Sequence, residues 1–394
     1  MNTPTSELRA PPSRARAALL KRLADVVSLP GSRINAFERA MTADLLVDML
    51  GEAEPAERRK VARRLAGLSE IPATLVRLLL RDDVEVAEEL LTNASALSDA
   101  DLLDCTRLGR LEHRRLIALR RSVSEVVCDG LIEFGEVLVL DCLLRNPEAR
   151  FSNAGIEAVV ALTRGDSRLT RELLRRPELR PAHAYVLFWW ADPDARRLIL
   201  QRFGVSRDIL REAASDIFAL AAEEAMTDEL STRALGFIDP RQRRRGGTEG
   251  RPFASLEAAV DAASAGLTPE IIEEIAYLCR LKQSTTAKIM ADLGGEPVAI
   301  LCKAVGLPKK ALRALWAALG RRDDDPGLEF GLIAYDVVAV DRAQTMLRYW
   351  DWSLTSSLTP ALLRVIGEIS DDIREEYSVA ENMPARTFTK EFGG

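Results

Sequence analysis

Three segments of this sequence stop in the same way. Glu89-Leu-Leu-Thr-Asn-Ala94, Cys142-Leu-Leu-Arg-Asn-Pro147 and Glu172-Leu-Leu-Arg-Arg-Pro177 each join two leucines to a polar or basic residue and then break. Leu144 and Leu174 lie 30 residues apart, and Leu91 and Leu144 lie 53 apart, which leaves room for shorter or irregular units between them. The flanking stretches carry helical spacing, as in Ile71, Leu75, Leu78, Leu79 and then Val84, Ala87, Leu90, Leu91. A pair of short helices cannot bury its apolar face alone and needs neighbours on both sides. The recurrence therefore predicts an α-solenoid of short helix pairs. The competing fold is a compact bundle whose Leu-rich helices resemble one another by chance.

Helix starts are marked at short intervals. Ser98-Asp-Ala-Asp101 and Ser122-Val-Ser-Glu125 match a capping box, and Thr268-Pro269-Glu270 offers an N-cap, a first-turn proline and a first-turn acid. Gly130 and Gly135 are expected where a helix ends or bends. With 23 Gly and 18 Pro in 394 residues, the turn-forming content is too low for an all-β chain. The fold class expected is all-α.

The run from Ser124 to Thr163, with its LLRN-P turn at Leu143–Pro147, resembles an uncharacterised alphaproteobacterial family of HEAT-like helical repeats, a domain of unknown function. The resemblance is good from about Leu75 to Phe203 and weaker over the next stretch. It implies an all-α, HEAT-like fold, and it brings no catalytic residue and no agreed activity.

The expected organisation has five parts. Residues 1–60 are N-terminal helices, and 61–238 are HEAT-like repeats. Residues 239–252 form a basic Arg/Gly-rich linker, DPRQRRRGGTEGRP. A second helical region spans 253–350, and an acidic C-terminal helix and tail span 351–394. Charge follows this plan: residues 241–322 carry 14 basic and 8 acidic side chains, whereas 323–394 carry 6 basic and 14 acidic.

Chemistry-bearing motifs are scarce. The sequence contains no P-loop, dinucleotide-binding, nucleophile-elbow or HExxH pattern. Its two histidines, His113 and His183, are far apart and lack metal-ligand spacing. Five cysteines without a C-x-x-C pair, and a polar N-terminus without an apolar core, point to a reduced, cytoplasmic setting. The longest apolar run, Ala184–Ala191, is far short of the roughly 20 residues that a membrane span needs. The expectation is a non-enzyme with no cofactor and no metal.

Two surfaces remain as candidates. A scaffold or adaptor, possible in bacterial signalling or regulation, would bind a protein partner through arginine-rich helix faces (Arg114, Arg115, Arg121, Arg145) and through Trp350 and Trp352. The alternative is a nucleic-acid-binding regulator. Residues 301–322 have the spacing of a helix-turn-helix around Gly306, with Cys302 before the turn and Leu312 after it. Lys309, Lys310 and Arg313 would face the groove, aided by Arg243, Arg244 and Arg245 in the linker. An ordinary αα-hairpin has the same spacing, and the acidic Asp323–Asp325 run downstream favours it.

Overall fold

A computed structural model describes residues 14–216 and 252–351, with the single residues 228, 234 and 238. The chain divides into two compact units, residues 1–162 and 163–394. Among the described residues both units are helical, and the isolated bridge between Val123 and Ala149 is the only β pairing.

The first unit contains α1 (Arg14–Val27), α2 (Ala36–Gly51), α3 (Pro55–Ala66), α4 (Ala73–Leu80), α5 (Val84–Asn93), α6 (Asp99–Leu108), α7 (Leu111–Ala118), α8 (Glu125–Ile132), α9 (Val137–Arg145) and α10 (Asn153–Leu162). Packing runs in two series. The odd helices follow one another, α1 on α3, α3 on α5, α5 on α7 and α7 on α9. The even helices do the same, α2 on α4, α4 on α6, α6 on α8 and α8 on α10. The leucines of the repeated endings lie inside: Leu90, Leu91, Leu143 and Leu144 are all buried.

The start signals are mostly where the sequence places them. Ser98 and Asp101 form a reciprocal capping box at α6. The box expected at Ser122–Glu125 is displaced: Ser124 is the N-cap and accepts from Val127 N. The cause is the bridge, because Arg150 N donates to the Val123 carbonyl at 3.0 Å and holds Val123 extended. Gly130 is also not a helix end. It lies inside α8, and a Cβ there would come within 2.7 Å of Leu103 Cδ2 on α6, so it is a site of close helix approach. Gly135, with φ of 62°, does end the segment.

The second unit contains α11 (Ser167–Leu173), α12 (Pro181–Leu187), α13 (Pro193–Phe203), α14 (Asp208–Ala213), α15 (Leu256–Ala263), α16 (Pro269–Cys279), α17 (Gln283–Ala291), α18 (Glu296–Val305), α19 (Lys309–Ala318), α20 (Pro326–Val337) and α21 (Val340–Asp351). Helix α18 is central: it packs on α17, α19, α20 and α21, and eight of its residues are buried. Gly295, with φ of 82°, lets its start meet the start of α20, since a Cβ there would overlap the Gly327 carbonyl. Thr268 caps α16 ahead of Pro269, as the sequence predicts. The β-branched stretch 327–340 is helical through Val337.

The unit boundary at 162/163 differs from the boundary expected at the 239–252 linker. Of that linker only Pro252 lies among the described residues. Helices α11–α13 belong with the C-terminal helices because long-range contacts hold them there: α12 packs on α21, and Arg196 reaches acids 96 and 100 residues downstream.

Four buried helix ends are closed in one recurring way. Arg120 donates to the carbonyls of Leu91 and Ala94 at the end of α5. Asn146 Nδ2 donates to Ala118 O at 2.8 Å and Arg120 O at 2.7 Å at the end of α7. Arg202 donates to Leu174 O and Arg176 O after α11. Arg321 donates to Met290 O and Asp292 O after α17 at 2.8 and 2.7 Å. Each donor lies 26 to 31 residues after its acceptors. The last carbonyls of a helix have no partner within it, and leaving one buried and unbonded costs about 1–3 kcal/mol.

Asn146→Ala removes both bonds and is expected to lower stability by about 1–3 kcal/mol, read as a lower urea midpoint with an unchanged slope. Asn146→Asp, which turns an oxygen toward two carbonyls, is expected to be the worse of the two.

Candidate functional site

The arginines singled out from the sequence have different fates. Arg114 is buried, and this departs from the expectation of a partner-facing cation. Its fork donates to both Glu136 oxygens at 2.7 and 2.6 Å, and Nη1 donates to Thr106 O and Gly109 O at 3.1 and 2.8 Å. Its guanidinium also lies 4.2 Å over the Phe134 ring. All three nitrogens and one face of the group are engaged. Arg115 and Arg121 are exposed, and Arg145 is exposed with Asp141 at 3.3 Å. Arg243, Arg244, Arg245 and Trp352 lie outside the described residues.

In the basic hairpin, α18 and α19 are joined at Gly306, whose φ is 82°. Cys302 and Leu312 are fully buried where the two helices meet. Helix α19 buries Ala311, Leu312, Leu315 and Trp316 against α15, α18 and α20. Lys310 and Arg313 are exposed, while Lys309 Nζ is 2.5 Å from Asp336. The positive face is thus partly neutralised by its own unit.

Both histidines serve as helix caps. His113 Nδ1 accepts from Arg110 N at 3.3 Å, and His183 Nδ1 accepts from Arg180 N at 3.4 Å. Each stands three residues after an arginine N-cap and is buried. None of the five cysteines is joined in a disulfide. Among the described residues no three His, Cys, Asp or Glu side chains gather as metal ligands.

The densest polar cluster lies in the second unit and was not anticipated from the sequence. Arg196, on α13, donates to both oxygens of Asp292 at 2.7 and 2.6 Å and to Glu296 Oε2 at 3.1 Å. Its Nε donates to Ala191 O, and its plane lies 4.8 Å over Phe188. Side-chain exposure is 9% for Arg196, 9% for Asp292 and 5% for Glu296. Burial works against the Arg196 charge, and the bonds and field of the two acids outweigh it and raise its pKa. Burial pushes the Glu296 carboxyl up, with Arg196 pulling the other way.

Beside this triad the two aromatic clusters of the sequence meet. Tyr185 stacks on Tyr349 with centroids 4.9 Å apart. Trp350 packs on Phe188 at 5.2 Å and Trp189 at 5.1 Å. Trp350 is therefore half-buried in an aromatic core, and its Nε1 finds no acceptor among the described residues. Lys288 lies with its Nζ 4.3 Å from the centre of the Trp189 ring. Burial pushes the Lys288 ammonium down to about 7, and Asp292 opposes that only partly. The Asp292 carboxylate is already held by Arg196. At neutral pH this amine is therefore shared between its charged form, held by the indole face, and a neutral form with a free electron pair.

Two outcomes follow for this cluster. Arg196→Met strands two buried acids and is expected to cost about 3–5 kcal/mol, measured by urea unfolding. Replacing Asp292 and Glu296 by leucine in the same chain should recover most of that loss. Unfolded, Lys288 keeps its proton up to about 10.5, whereas in the fold it releases it near 7. Between those values the unfolded chain binds more protons, so the Lys288 contribution grows as pH rises and is lost as pH falls toward 7. Lys288→Met is therefore expected to flatten that part of the stability profile and to gain most over the wild type at the lower pH.

No helix of the described residues is long and apolar enough to cross a membrane. No curated protein and no solved structure matches this chain. Residues 86–348, well over half of the sequence and reaching from α5 through the triad to α21, match the family described as an uncharacterised protein conserved in bacteria (DUF2336), and the chain belongs to that family.

Proposed function

We propose that this chain is a non-enzymatic helical-repeat adaptor that binds a protein partner, its first ten helices forming a HEAT-like solenoid of short pairs. The observation that supports this reading is the serial packing of odd on odd and even on even helices, tied at their ends by side chains from the next pair. Such an array presents successive helices side by side and makes a continuous recognition surface. One part of it is apolar. Phe134, Val137, Leu138 and Leu162 are 41%, 50%, 52% and 40% exposed, and Leu162 Cδ2 reaches to within 3.6 Å of a Cβ built at Gly135. Contiguous apolar side chains left in water on an otherwise charged surface mark interaction sites. Arg115 and Arg121 supply exposed positive charge in the same unit, which suits an acidic rim on the partner.

A second reading, nucleic-acid binding, is favoured by one observation: Lys310 and Arg313 project from α19 with no acidic partner among the described residues. Lys309 and the linker arginines would add to it.

Crosslinked affinity capture of the tagged full chain from its native cell, with and without nuclease, separates the two. The adaptor reading expects a discrete protein recovered equally in both conditions. Leu138→Glu should reduce that recovery at least tenfold while helicity and melting temperature are unchanged. Recovery that disappears with nuclease, falls steeply with salt and is abolished by Lys310→Glu with Arg313→Glu would establish the second reading instead.

A further inference from the structure

Helices α13, α20 and α21 line a half-open cavity of about 200 Å³ in the second unit. Its inner wall is apolar: Leu200, Ala334 and Val338 are 8%, 6% and 5% exposed, and Phe330 lines it beside them. Its outer wall is different. Arg197 and Arg342 both line it and are both exposed, and Gln201 adds an uncharged amide. Ile333 and Val337 also line it and stand 44% and 67% exposed, so the opening is ringed by apolar side chains in water.

Volume and charge each narrow what such a cavity can hold. A cavity of about 150 Å³ lined by apolar side chains takes benzene, and sites for drug-sized ligands run to about 300–1,000 Å³. This one has room for a single ring and a short arm within its walls. The charges at the opening are positive. Arg197 has only an exposed acid, Asp194, at 3.7 Å, and Arg342 has no ion pair among the described residues. Glu296 also contributes to the wall, and its charge faces Arg196 at 3.1 Å. A guanidinium fork suits the planar geometry of a carboxylate, and two arginines line this opening.

We propose that this cavity binds a small carboxylate with an apolar body, of the size of a phenyl or cyclohexyl carboxylate, the ring against Leu200, Phe330 and Val338 and the carboxylate between Arg197 and Arg342. The site lies away from the α8–α10 patch in sequence, and its chemistry does not depend on the adaptor reading.

Calorimetry and saturation-transfer NMR on the full chain, with benzoate, cyclohexanecarboxylate and the uncharged benzyl alcohol as probes, test this. The two carboxylates are expected to bind saturably, with a dissociation constant on the order of 1 mM or tighter for ligands of about nine heavy atoms. Benzyl alcohol should bind about tenfold more weakly. Arg197→Gln and Arg342→Gln should each weaken the carboxylates about tenfold and leave the alcohol unchanged. Val337→Glu, at a solvated position that bears no fold, should repel the carboxylates. Ala334→Phe should fill the cavity and remove all three probes. The proposal is overturned if no probe binds saturably, or if carboxylate binding is indifferent to both arginines and to Val337→Glu.

Discussion

The fold depends on a shortage at the ends of its helices. Helices of seven to twelve residues leave a large share of their carbonyls without an internal partner, and here many of those ends are buried. Water cannot reach them, so side chains must. Arginine suits this task because one planar fork can serve two carbonyls at once, as Arg120, Arg202 and Arg321 do. The dominance of arginine over lysine, 46 to 8, is thus more than a surface habit. It reflects, in part, a demand for long, always-charged donors that reach from one helix pair to the end of the pair before it.

The second unit solves a different problem. Its N-terminal and C-terminal helices are far apart in sequence, and the Arg196 triad with the aromatic core joins them. Buried ion clusters are weak sources of net stability, because removing charges from water costs about as much as their attraction returns. What this cluster supplies is a direct link between α13 and the α17–α18 turn, 96 and 100 residues apart. Asp292 and Glu296 converge on Arg196 from the α17–α18 turn and leave none of its three nitrogens unbonded, counting the Ala191 carbonyl. The stacked Tyr185 and Tyr349 rings and the Trp350 contacts add the apolar area that makes that arrangement favourable.

Local features of this fold were readable in the sequence, and distant ones were not. The all-α class, the Ser98 and Thr268 caps and the turn at Gly306 follow from spacing and cap chemistry alone. The LL-x-[NR]-[AP] endings were visible as punctuation. Their partners were not, since a donor 26 to 31 residues away leaves no periodic trace. Arg114 reads as surface because arginine is usually solvated, and only the fold brings Glu136 and two carbonyls to it. The two aromatic clusters were each conspicuous, but their meeting is tertiary. Arg196 and Lys288 look ordinary in sequence. The one available hint was the pair of acids four apart, Asp292 and Glu296, around two glycines at a helix start. Lys288 carries no hint, because its weakened basicity comes from burial under an indole supplied by another helix.

The direction of the end-capping bonds has a consequence during synthesis. At four helix ends, those of α5, α7, α11 and α17, the donor lies on the C-terminal side of the carbonyls that it closes. Each of these four ends is therefore incomplete until 26 to 31 further residues have been made. At elongation rates of about 5–20 residues per second, that is a wait of roughly 1–6 s for each of them. The four ends are thus closed in chain order as translation brings out Arg120, Asn146, Arg202 and Arg321 in turn.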